Sequence, residues 1–239
     1  MAGFLSLLSR HATRPTIRAV TFDVGGTLIE VRPSVGHVYA EVAARHGVKG
    51  LSAGLLDRRF AAAWRAARRF NYSRSDWATL VDATFRGLTD RCTSQTFFAE
   101  LYARFAEPDA WRVFADVLPI LEVLTARGLK LGVISNWDER LRPLLKRLRL
   151  ACRFDVIVVS REVGCAKPSC AIFEHAVQKL GLLSAAVLHV GDDRLMDVRG
   201  AQAAGLSALL LRRAARAAKA GQITSLGELC GSGEVGLQS

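Results

Sequence analysis

The sequence predicts an α/β protein, a doubly wound parallel sheet with one inserted α-helical subdomain, from three observations. Short apolar runs alternate with amphipathic segments between residues 116 and 211, which is typical of parallel strands covered by helices on both faces. A similar apolar run, Ile17 to Phe22, stands alone near the start of the chain. Between the two, from about residue 35 to residue 105, apolar residues recur with helical periodicity.

The size, charge and hydropathy of the chain limit its partners. Its 239 residues, half of them hydrophobic, suffice for a core domain with one inserted subdomain. The net charge of +11 favours phosphorylated ligands. Most of the excess is arginine on apparent helix faces, so we predict solvated surface charge and no specific nucleic-acid partner. No apolar run reaches the length that spans a bilayer, so we expect no membrane partner.

Cysteine usage and the first residues bear on localisation. The five cysteines are odd in number and show no CxxC spacing, which indicates a reducing compartment and argues against disulfides or a zinc site. We therefore expect a cytoplasmic protein. Residues 1–18 contain three arginines and no acid, so a mitochondrial or other organellar presequence is the alternative.

The elements follow in order, with a disordered leader expected at 1–16 and a flexible tail at 231–239. We predict core segments at 17–33 and 112–230 around a helical insertion at 34–111. Four aromatic residues of the insertion are expected to form its own core and not a binding box; they are Trp64, Phe70, Tyr72 and Trp77.

Beyond the insertion, the apolar pattern predicts a regular alternation. Asp116 is expected to cap a helix that Gly128 ends. The predicted strands are Leu129 to Ile134, Phe154 to Val159, Val187 to Val190 and Leu206 to Leu211. The predicted helices between them are Asp138 to Leu150, Ser169 to Leu180 and Leu195 to Ala204.

The most informative stretch is the one in which the first strand runs into Asp23, followed by Gly25 and Gly26. Open α/β sheets bind ligands beyond the carboxyl ends of their strands, where Asp23 is expected. A carboxylate there can attack a phosphoryl group or hold a cation, and the glycines let backbone N–H groups approach an anion. Taken alone, the stretch also fits an ordinary glycine turn after a strand.

Polar residues follow three further strands and are expected at the same edge of the sheet. They are Ser135-Asn136, Lys167-Pro168 and Asp192-Asp193. All four motifs in this order resemble the series of the haloacid dehalogenase-like (HAD) hydrolases, over about Ile17 to Leu211. The first motif alone also resembles the DxGGT phosphate loop of sugar kinases and actin-like ATPases, which would need a second, longer domain.

The HAD resemblance implies a nucleophile and a metal site. Asp23 would form an aspartyl-phosphate and also bind Mg²⁺. The Gly25 carbonyl, Asp192 and Asp193 would complete the oxygen ligands that this hard cation prefers. Asp197 is expected to tie the loop or cap a helix, and not to bind the metal.

The resemblance also implies a phosphate-binding set. The Ser135 hydroxyl would donate to a phosphoryl oxygen, together with the Asn136 backbone N–H. Lys167 would neutralise the charge shared by Asp23 and the phosphoryl group, as a catalytic cation. The helical insertion corresponds to an α-helical cap that closes over the site and excludes water.

Gly25 departs from the HAD phosphatase pattern, DxDGTL, which has an aspartate acid/base at that position. Haloacid dehalogenases also lack it but need no metal, so Asp192 and Asp193 argue against them. Phosphonatases use a cap lysine, for which Lys49 is the only candidate. The altered first motif and Ser135-Asn136-Trp137-Asp138 resemble the subgroup of HAD-like hydrolase domain-containing protein 3 and the rhythmically expressed gene 2 protein.

Two functional hypotheses follow. The first is a Mg²⁺-dependent hydrolase of a small phosphomonoester, weakened by Gly25 and most active on esters with an activated leaving group. The second is a catalytically disabled HAD fold that binds a phosphorylated metabolite or a protein partner.

Overall fold

The computed structural model describes residues 16–67 and 70–230 and contains two sheets. The strands are β1 (Ala19–Phe22), β2 (Ile29–Val31), β3 (Trp111–Val113), β4 (Lys130–Ser135), β5 (Val156–Val159), β6 (Val187–Gly191), β7 (Ser207–Leu211) and β8 (Gln222–Ile223). Six of them form one sheet in the order β5-β4-β1-β6-β7-β8, with every neighbouring pair parallel. Strands β2 and β3 pair separately as an antiparallel ribbon.

Helices cover the sheet and fill the insertion. The α-helices are α1 (Val35–Arg45), α2 (Ala53–Ala66), α3 (Arg74–Phe85), α4 (Thr93–Thr96), α5 (Phe98–Arg104), α6 (Val117–Ala126), α7 (Leu141–Arg147), α8 (Ser160–Val163), α9 (Cys170–Leu180) and α10 (Gly200–Ala203). A π-helical turn, Arg194–Arg199, precedes α10, and short 3₁₀ turns lie at Pro108–Ala110, Ala151–Arg153, Ser184–Ala186 and Leu226–Cys230. No helix in the described part of the chain combines the length and the apolar character that a membrane span requires.

The parallel sheet is buried on both faces because its side chains alternate between two hydrophobic clusters. Val20 and Phe22 of β1 belong to a cluster that α6 and α7 complete on one face. Ala19 belongs to a second cluster, which α9 and α10 complete on the other face. The predicted doubly wound α/β sheet is therefore confirmed.

The insertion has a hydrophobic cluster of its own between helices α1, α2, α3 and α5. Val42, Leu56 and Phe85 are buried at its centre. Its three long helices are preceded by the N-cap residues Ser34, Ser52 and Ser73, whose side chains accept backbone N–H groups of the first turn, the usual role of serine before a helix. Strand β2 lies just before the insertion and β3 lies at its end, so the β2–β3 ribbon joins the two ends of the insertion. Strands of three residues show no periodic pattern, so sequence reasoning missed them.

The predicted element boundaries differ from the structure at two acidic residues. Asp116 precedes α6, but its carboxylate makes no capping bond. It accepts instead from Arg213, Ser225 and the Leu226 amide, and so ties down the end of the core. Helix α7 begins at Leu141 and not at Asp138, which is buried. The predicted leader, apart from Thr16, and the predicted tail lie outside the described residues.

Candidate active site

The four sequence motifs meet at the carboxyl edge of the parallel sheet. Asp23 follows β1, Ser135 ends β4, and Asp192 follows β6, and these three strands are neighbours. Lys167 reaches the same point from the loop between α8 and α9. The structure therefore brings together residues that lie up to 169 positions apart in the chain (192 − 23).

Lys167 lies between two carboxylates. Its Nζ donates to Asp23 Oδ1 and to Asp197 Oδ1, each at 2.6 Å, and its side chain is only 3% exposed. Burial alone would lower the pKa of Lys167, but the two carboxylates outweigh it and hold that pKa above its usual value. Lys167 is therefore a permanent cation beside Asp23.

The Asp23 carboxylate is held by one of its two oxygens. Oδ1 accepts both from Lys167 and from the Ser135 hydroxyl, which lies 3.0 Å away. No side chain in the described part of the chain donates to Oδ2. Burial raises the pKa of Asp23, and Lys167 opposes that effect. The arrangement fixes the orientation of the carboxylate and leaves one oxygen for chemistry.

The Asn136 side chain positions Lys167. Its amide nitrogen donates to the Lys167 carbonyl at 3.0 Å, and its amide oxygen accepts from the Lys167 backbone N–H at 2.7 Å. This paired bond fixes the loop that carries the lysine. The role predicted for Asn136 concerned its backbone N–H toward a phosphoryl oxygen, and that role stays a prediction.

Asp197 and Asp193 both form hydrogen bonds within the loop that follows β6. Asp197 Oδ2 accepts from the Asp193 backbone N–H at 2.9 Å, so it ties the loop as predicted. Lys167 holds the pKa of Asp197 well below its usual value, although burial acts in the opposite direction. The Asp193 carboxylate accepts from the amides of Leu195 and Met196 and caps the π-helical turn.

Three carboxylates could hold a cation. Asp23, Asp192 and Asp197 each offer an oxygen within 4.8 Å of the others. These hard oxygen donors fit Mg²⁺. Desolvation, followed by repulsion from Asp23 and Asp197, raises the pKa of Asp192 to about 7. Asp193, a predicted ligand, is not part of this group, whereas Asp197 is; the Gly25 carbonyl stays a predicted ligand.

Comparison with known protein families shows the family to which this chain belongs. The family model described as haloacid dehalogenase-like hydrolase matches residues 17–205, the segment that contains all four motifs. The chain belongs to the haloacid dehalogenase-like hydrolase family. It is 37% identical over 211 residues to haloacid dehalogenase-like hydrolase domain-containing protein 3 of Mus musculus, covering 84% of each chain. It is 28% identical over 215 residues to the rhythmically expressed gene 2 protein of Drosophila melanogaster, covering 81% of this chain and 82% of that protein. The subgroup expected from the first two motifs is thereby confirmed.

Solved structures of HAD proteins share the fold. A HAD phosphatase from Thermococcus onnurineus superposes with a TM-score of 0.65 at 26% identity, covering 89% of this chain and 96% of that one. A 2-haloacid dehalogenase from Pseudomonas syringae superposes with a TM-score of 0.63 at 24% identity, covering 90% and 97%. Both phosphatases and dehalogenases are thus among the neighbours of this HAD chain.

The two glycines of the first HAD motif differ in their surroundings. Gly26 has φ +74°, and a Cβ there would lie 2.4 Å from Asp192 Oδ2, so only glycine fits. Gly25 is not in that left-handed region, and a Cβ there would meet only the Trp137 ring, at 3.5 Å. The local backbone and space at position 25 therefore admit a side chain.

His189, which sequence reasoning did not single out, forms a hydrogen bond with the Asp197 carboxylate from the buried strand β6. It lies fully buried on β6, with Nδ1 at 2.9 Å from Thr21 Oγ1 and Nε2 at 3.3 Å from Asp197 Oδ1. Burial lowers the pKa of His189. A neutral ring that donates from Nε2 to the ionised Asp197 accepts from Thr21 through Nδ1. No sequence motif marks this histidine, because its neighbours in β6 are ordinary apolar strand residues.

A cavity of about 400 Å³ lies between the cap and the catalytic residues. Trp64, Tyr72 and Trp77 line it, although they were predicted to form only the core of the cap. Trp77 does pack against the cap cluster as predicted, whereas Trp64 is 39% exposed; helical periodicity shows which side chains are apolar but not which neighbour covers them. Phe70 packs on this group, with its ring centroid 4.9 Å from that of Trp77. Lys49 is exposed and does not line the cavity, which gives the phosphonatase alternative no support.

Tyr72 is the cap residue that approaches the catalytic motifs, and sequence reasoning left it without a role. Its backbone has φ 63°, an uncommon conformation for a residue other than glycine. Its side chain lines the cavity together with Asn136, and burial raises the pKa of its hydroxyl although the Asn136 side chain acts to lower it. Tyr72 is therefore a neutral hydroxyl at the boundary of cap and core.

Proposed function

We propose that this HAD hydrolase is a Mg²⁺-dependent phosphomonoesterase that acts through an aspartyl-phosphate at Asp23. The observation that carries the proposal is the Asp23 carboxylate, whose Oδ1 is held by Ser135 and Lys167 while Oδ2 receives no side-chain donor among the described residues. This carboxylate lines the cavity between cap and core, where a phosphate ester can reach it. The HAD phosphatase from Thermococcus onnurineus, a structural neighbour, supports the same reaction type.

In the first step, an oxygen of Asp23 attacks phosphorus, and the bond from phosphorus to the ester oxygen breaks. The electron pair of that bond leaves with the ester oxygen. Lys167 neutralises the charge shared by Asp23 and the phosphoryl oxygens, since its ammonium group is within 2.6 Å of Asp23. The Ser135 hydroxyl, which donates to Asp23 Oδ1 in this structure, would turn its proton to a phosphoryl oxygen when a phosphate ester binds.

In the second step, water attacks the aspartyl-phosphate and restores the Asp23 carboxylate with release of inorganic phosphate. Asp23 and Asp192, two members of the acidic group, would hold Mg²⁺ together with the Gly25 carbonyl, while Asp197 stays bonded to Lys167 and to the Asp193 amide. When bound, the ion would offset the negative charge of the phosphoryl group beside these carboxylates.

The missing acid at Gly25 sets the expected rate. An alkoxide leaving group needs a proton as the ester bond breaks, and a positioned acid supplies about 10²- to 10⁴-fold in rate. We therefore expect slow turnover of alkyl phosphates and faster turnover of esters whose leaving group is stable as an anion. The same glycine supports the alternative, a catalytically disabled fold that binds a phosphorylated metabolite or a protein partner.

The test is phosphate release from p-nitrophenyl phosphate with and without Mg²⁺. We expect Mg²⁺-dependent turnover by the wild type and none by Asp23→Asn. The matched control is Asp90→Asn, which changes an exposed aspartate of the cap and should retain wild-type activity. An acid-quenched sample should carry phosphate on the Asp23 peptide.

Two results would contradict the proposal. No turnover by the wild type, together with stabilisation by inorganic phosphate in a thermal melt, would favour the binding protein. Release of halide from a 2-haloacid without a metal would assign the site to dehalogenation.

A further inference from the structure

Among the described residues, the cap contributes no charged side chain to the lining of the cavity. Every described lining side chain between residues 34 and 111 is aliphatic or aromatic. Charged lining groups come from the core: most belong to the catalytic motifs, and Arg140 reaches the cap, where it packs on the Tyr102 and Trp77 rings. A phosphate ester bound with its phosphoryl group at Asp23 would therefore place its leaving group against an apolar wall.

That wall is unusually aromatic. All four tryptophans of the chain line the cavity, and eight of the nineteen lining residues are aromatic, although aromatic residues make up 8% of the sequence. The Trp64 and Trp77 rings stack at 5.7 Å and 20°. The centroids of Trp111 and Trp137 are 5.2 Å apart. A cavity lined by so many aromatic rings favours a flat, apolar ligand.

In the part of the chain that the structure describes, the cavity has no free cation at its cap side for a second anionic group. Arg140 is the only arginine that lines the cavity among the described residues. Its guanidinium forms an ion pair with the buried Asp138 at 2.5 Å and lies 3.6 Å from the centroid of the Tyr102 ring. Since these contacts occupy Arg140, the cavity does not suit a leaving group that carries a carboxylate or another phosphate.

The polar groups also fit a ring better than a sugar. A sugar presents several hydroxyls, each of which needs a partner when buried. Among the described residues, the lining side chains of the cap offer two hydroxyls, those of Tyr39 and Tyr72, and otherwise only indole N–H donors, of which that of Trp77 has no partner; Tyr39 is 3% exposed. A cavity of about 400 Å³ also exceeds what a two- or three-carbon phosphate would fill.

The lack of a proton donor for the leaving ester oxygen also favours an aromatic leaving group, independently of the cavity lining. Position 25 has no acid, so the ester oxygen must leave as an anion. A phenolic oxygen does this far more readily than an alkoxide, because its charge is delocalised into the ring.

We propose that the substrate of this site is a phosphomonoester of a phenol-type aromatic hydroxyl, with the ring bound between the cap and core tryptophans. This inference rests on the proposed function. The bond from Asp23 to phosphorus forms, the bond from phosphorus to the aryl oxygen breaks, and the phenoxide leaves with the electron pair. The phenoxide then takes a proton from solvent, and water releases the phosphate from Asp23.

A binding experiment tests ring recognition without turnover. Phenylphosphonate and methylphosphonate carry the same anionic group on a carbon atom and contain no ester oxygen to release. Because all the tryptophans line the cavity, their fluorescence should report binding in the presence of Mg²⁺. We expect phenylphosphonate to bind about tenfold more tightly than methylphosphonate.

Variants locate the ring. Trp64→Ala should remove most of that preference, and the partly exposed position, 39% exposed, makes a folded variant attainable. Leu183→Ala, at a residue that is 80% exposed and does not line the cavity, is the control and should keep the preference. A thermal melt of both variants verifies folding.

A kinetic comparison separates ring recognition from leaving-group acidity. Phenyl phosphate has a ring and an acidic leaving group, benzyl phosphate has a ring and an alkoxide, and acetyl phosphate has an acidic leaving group without a ring. We expect Trp64→Ala to raise KM for phenyl and benzyl phosphate about threefold to tenfold and to leave KM for acetyl phosphate unchanged. The kcat for benzyl phosphate should be well below that for phenyl phosphate.

Equal binding of the two phosphonates by the wild type, or a preference that survives in folded Trp64→Ala and Trp77→Ala variants, would overturn the inference. Preferential binding of phenylphosphonate without turnover of any ester would support the aromatic ligand and contradict the proposed function.

Discussion

Asp192 packs so closely on Gly26 that a Cβ at position 26 would lie 2.4 Å from its Oδ2. The second glycine of the first motif therefore sets the position of a carboxylate from another strand. This contact links the backbone turn after β1 to the candidate metal site.

Substitution of Gly26 should cost both stability and metal binding. Gly26→Ala places a side chain at φ +74° and against Asp192, so the free energy of unfolding should fall by about 2–4 kcal/mol. Gly164→Ala is the matched control, because Gly164 also has φ +74° but nothing within 4 Å of its Cβ position. It should lose only the backbone part, about 1–2 kcal/mol. Equal losses in urea unfolding, with equal Mg²⁺ affinity, would show that the contact with Asp192 has no effect.

Gly25→Asp should restore the missing acid. The position is outside the left-handed region and a Cβ there meets only Trp137 at 3.5 Å, so the variant should fold. We expect kcat on alkyl phosphates to rise by about 10²-fold or more, with a much smaller change on aryl phosphates. Gly25→Asn, which fills nearly the same space without an acid, should show no gain. A folded Gly25→Asp that is no faster on alkyl phosphates would contradict this account of the site.

The pKa of Asp192 predicts how metal and pH act together on stability. In the folded protein without metal this pKa is raised to about 7, against about 3.9 for an unfolded aspartate. The folded state therefore binds more protons than the unfolded state between about pH 4 and pH 7, and stability should fall as pH rises through that range. Above pH 7 the contribution is lost and the dependence on this group ends.

Mg²⁺ should relieve the repulsion among the ionised carboxylates. We expect the ion to raise the melting temperature more at pH 8 than at pH 5. At a hundredfold excess of Mg²⁺ over its Kd, bound Mg²⁺ adds about 2.7 kcal/mol to the free energy of unfolding. Asp192→Asn should flatten the pH dependence and remove most of the shift. A shift of the same size in wild type and variant would place the ion elsewhere.

Removal of the Lys167 ammonium group should leave two buried carboxylates without a counter-charge. Lys167→Met keeps much of the side-chain volume but leaves Asp23 and Asp197 without the cation that lies 2.6 Å from each. At pH 8 we expect a loss of about 3–5 kcal/mol in the free energy of unfolding and no phosphatase activity. The loss should shrink at pH 5, because the carboxylates can then take up protons. Lys49→Met, at an exposed position, should change neither the stability nor the activity. A Lys167→Met protein as stable as the wild type would contradict the importance of the buried ion pairs of Lys167 with Asp23 and Asp197.

The sequence by itself determined the parallel core and the residues at its edge. Short apolar runs that end in Asp23, Ser135 and Asp192 carry their own signal, since a buried strand and its terminal polar residue are local features. The resemblance of these motifs, in their order along the chain, to the HAD series was enough to predict the family.

Only the tertiary structure decided which atoms meet. Asp197 and Asp193 are equally acidic in the sequence, but the fold aims Asp197 at Lys167 and uses Asp193 to cap a turn. In the same way, Trp64 belongs to an apolar pattern that does not reveal whether the cap core or the cavity covers it. These choices depend on contacts between residues far apart in the chain, and local periodicity contains no information about such contacts.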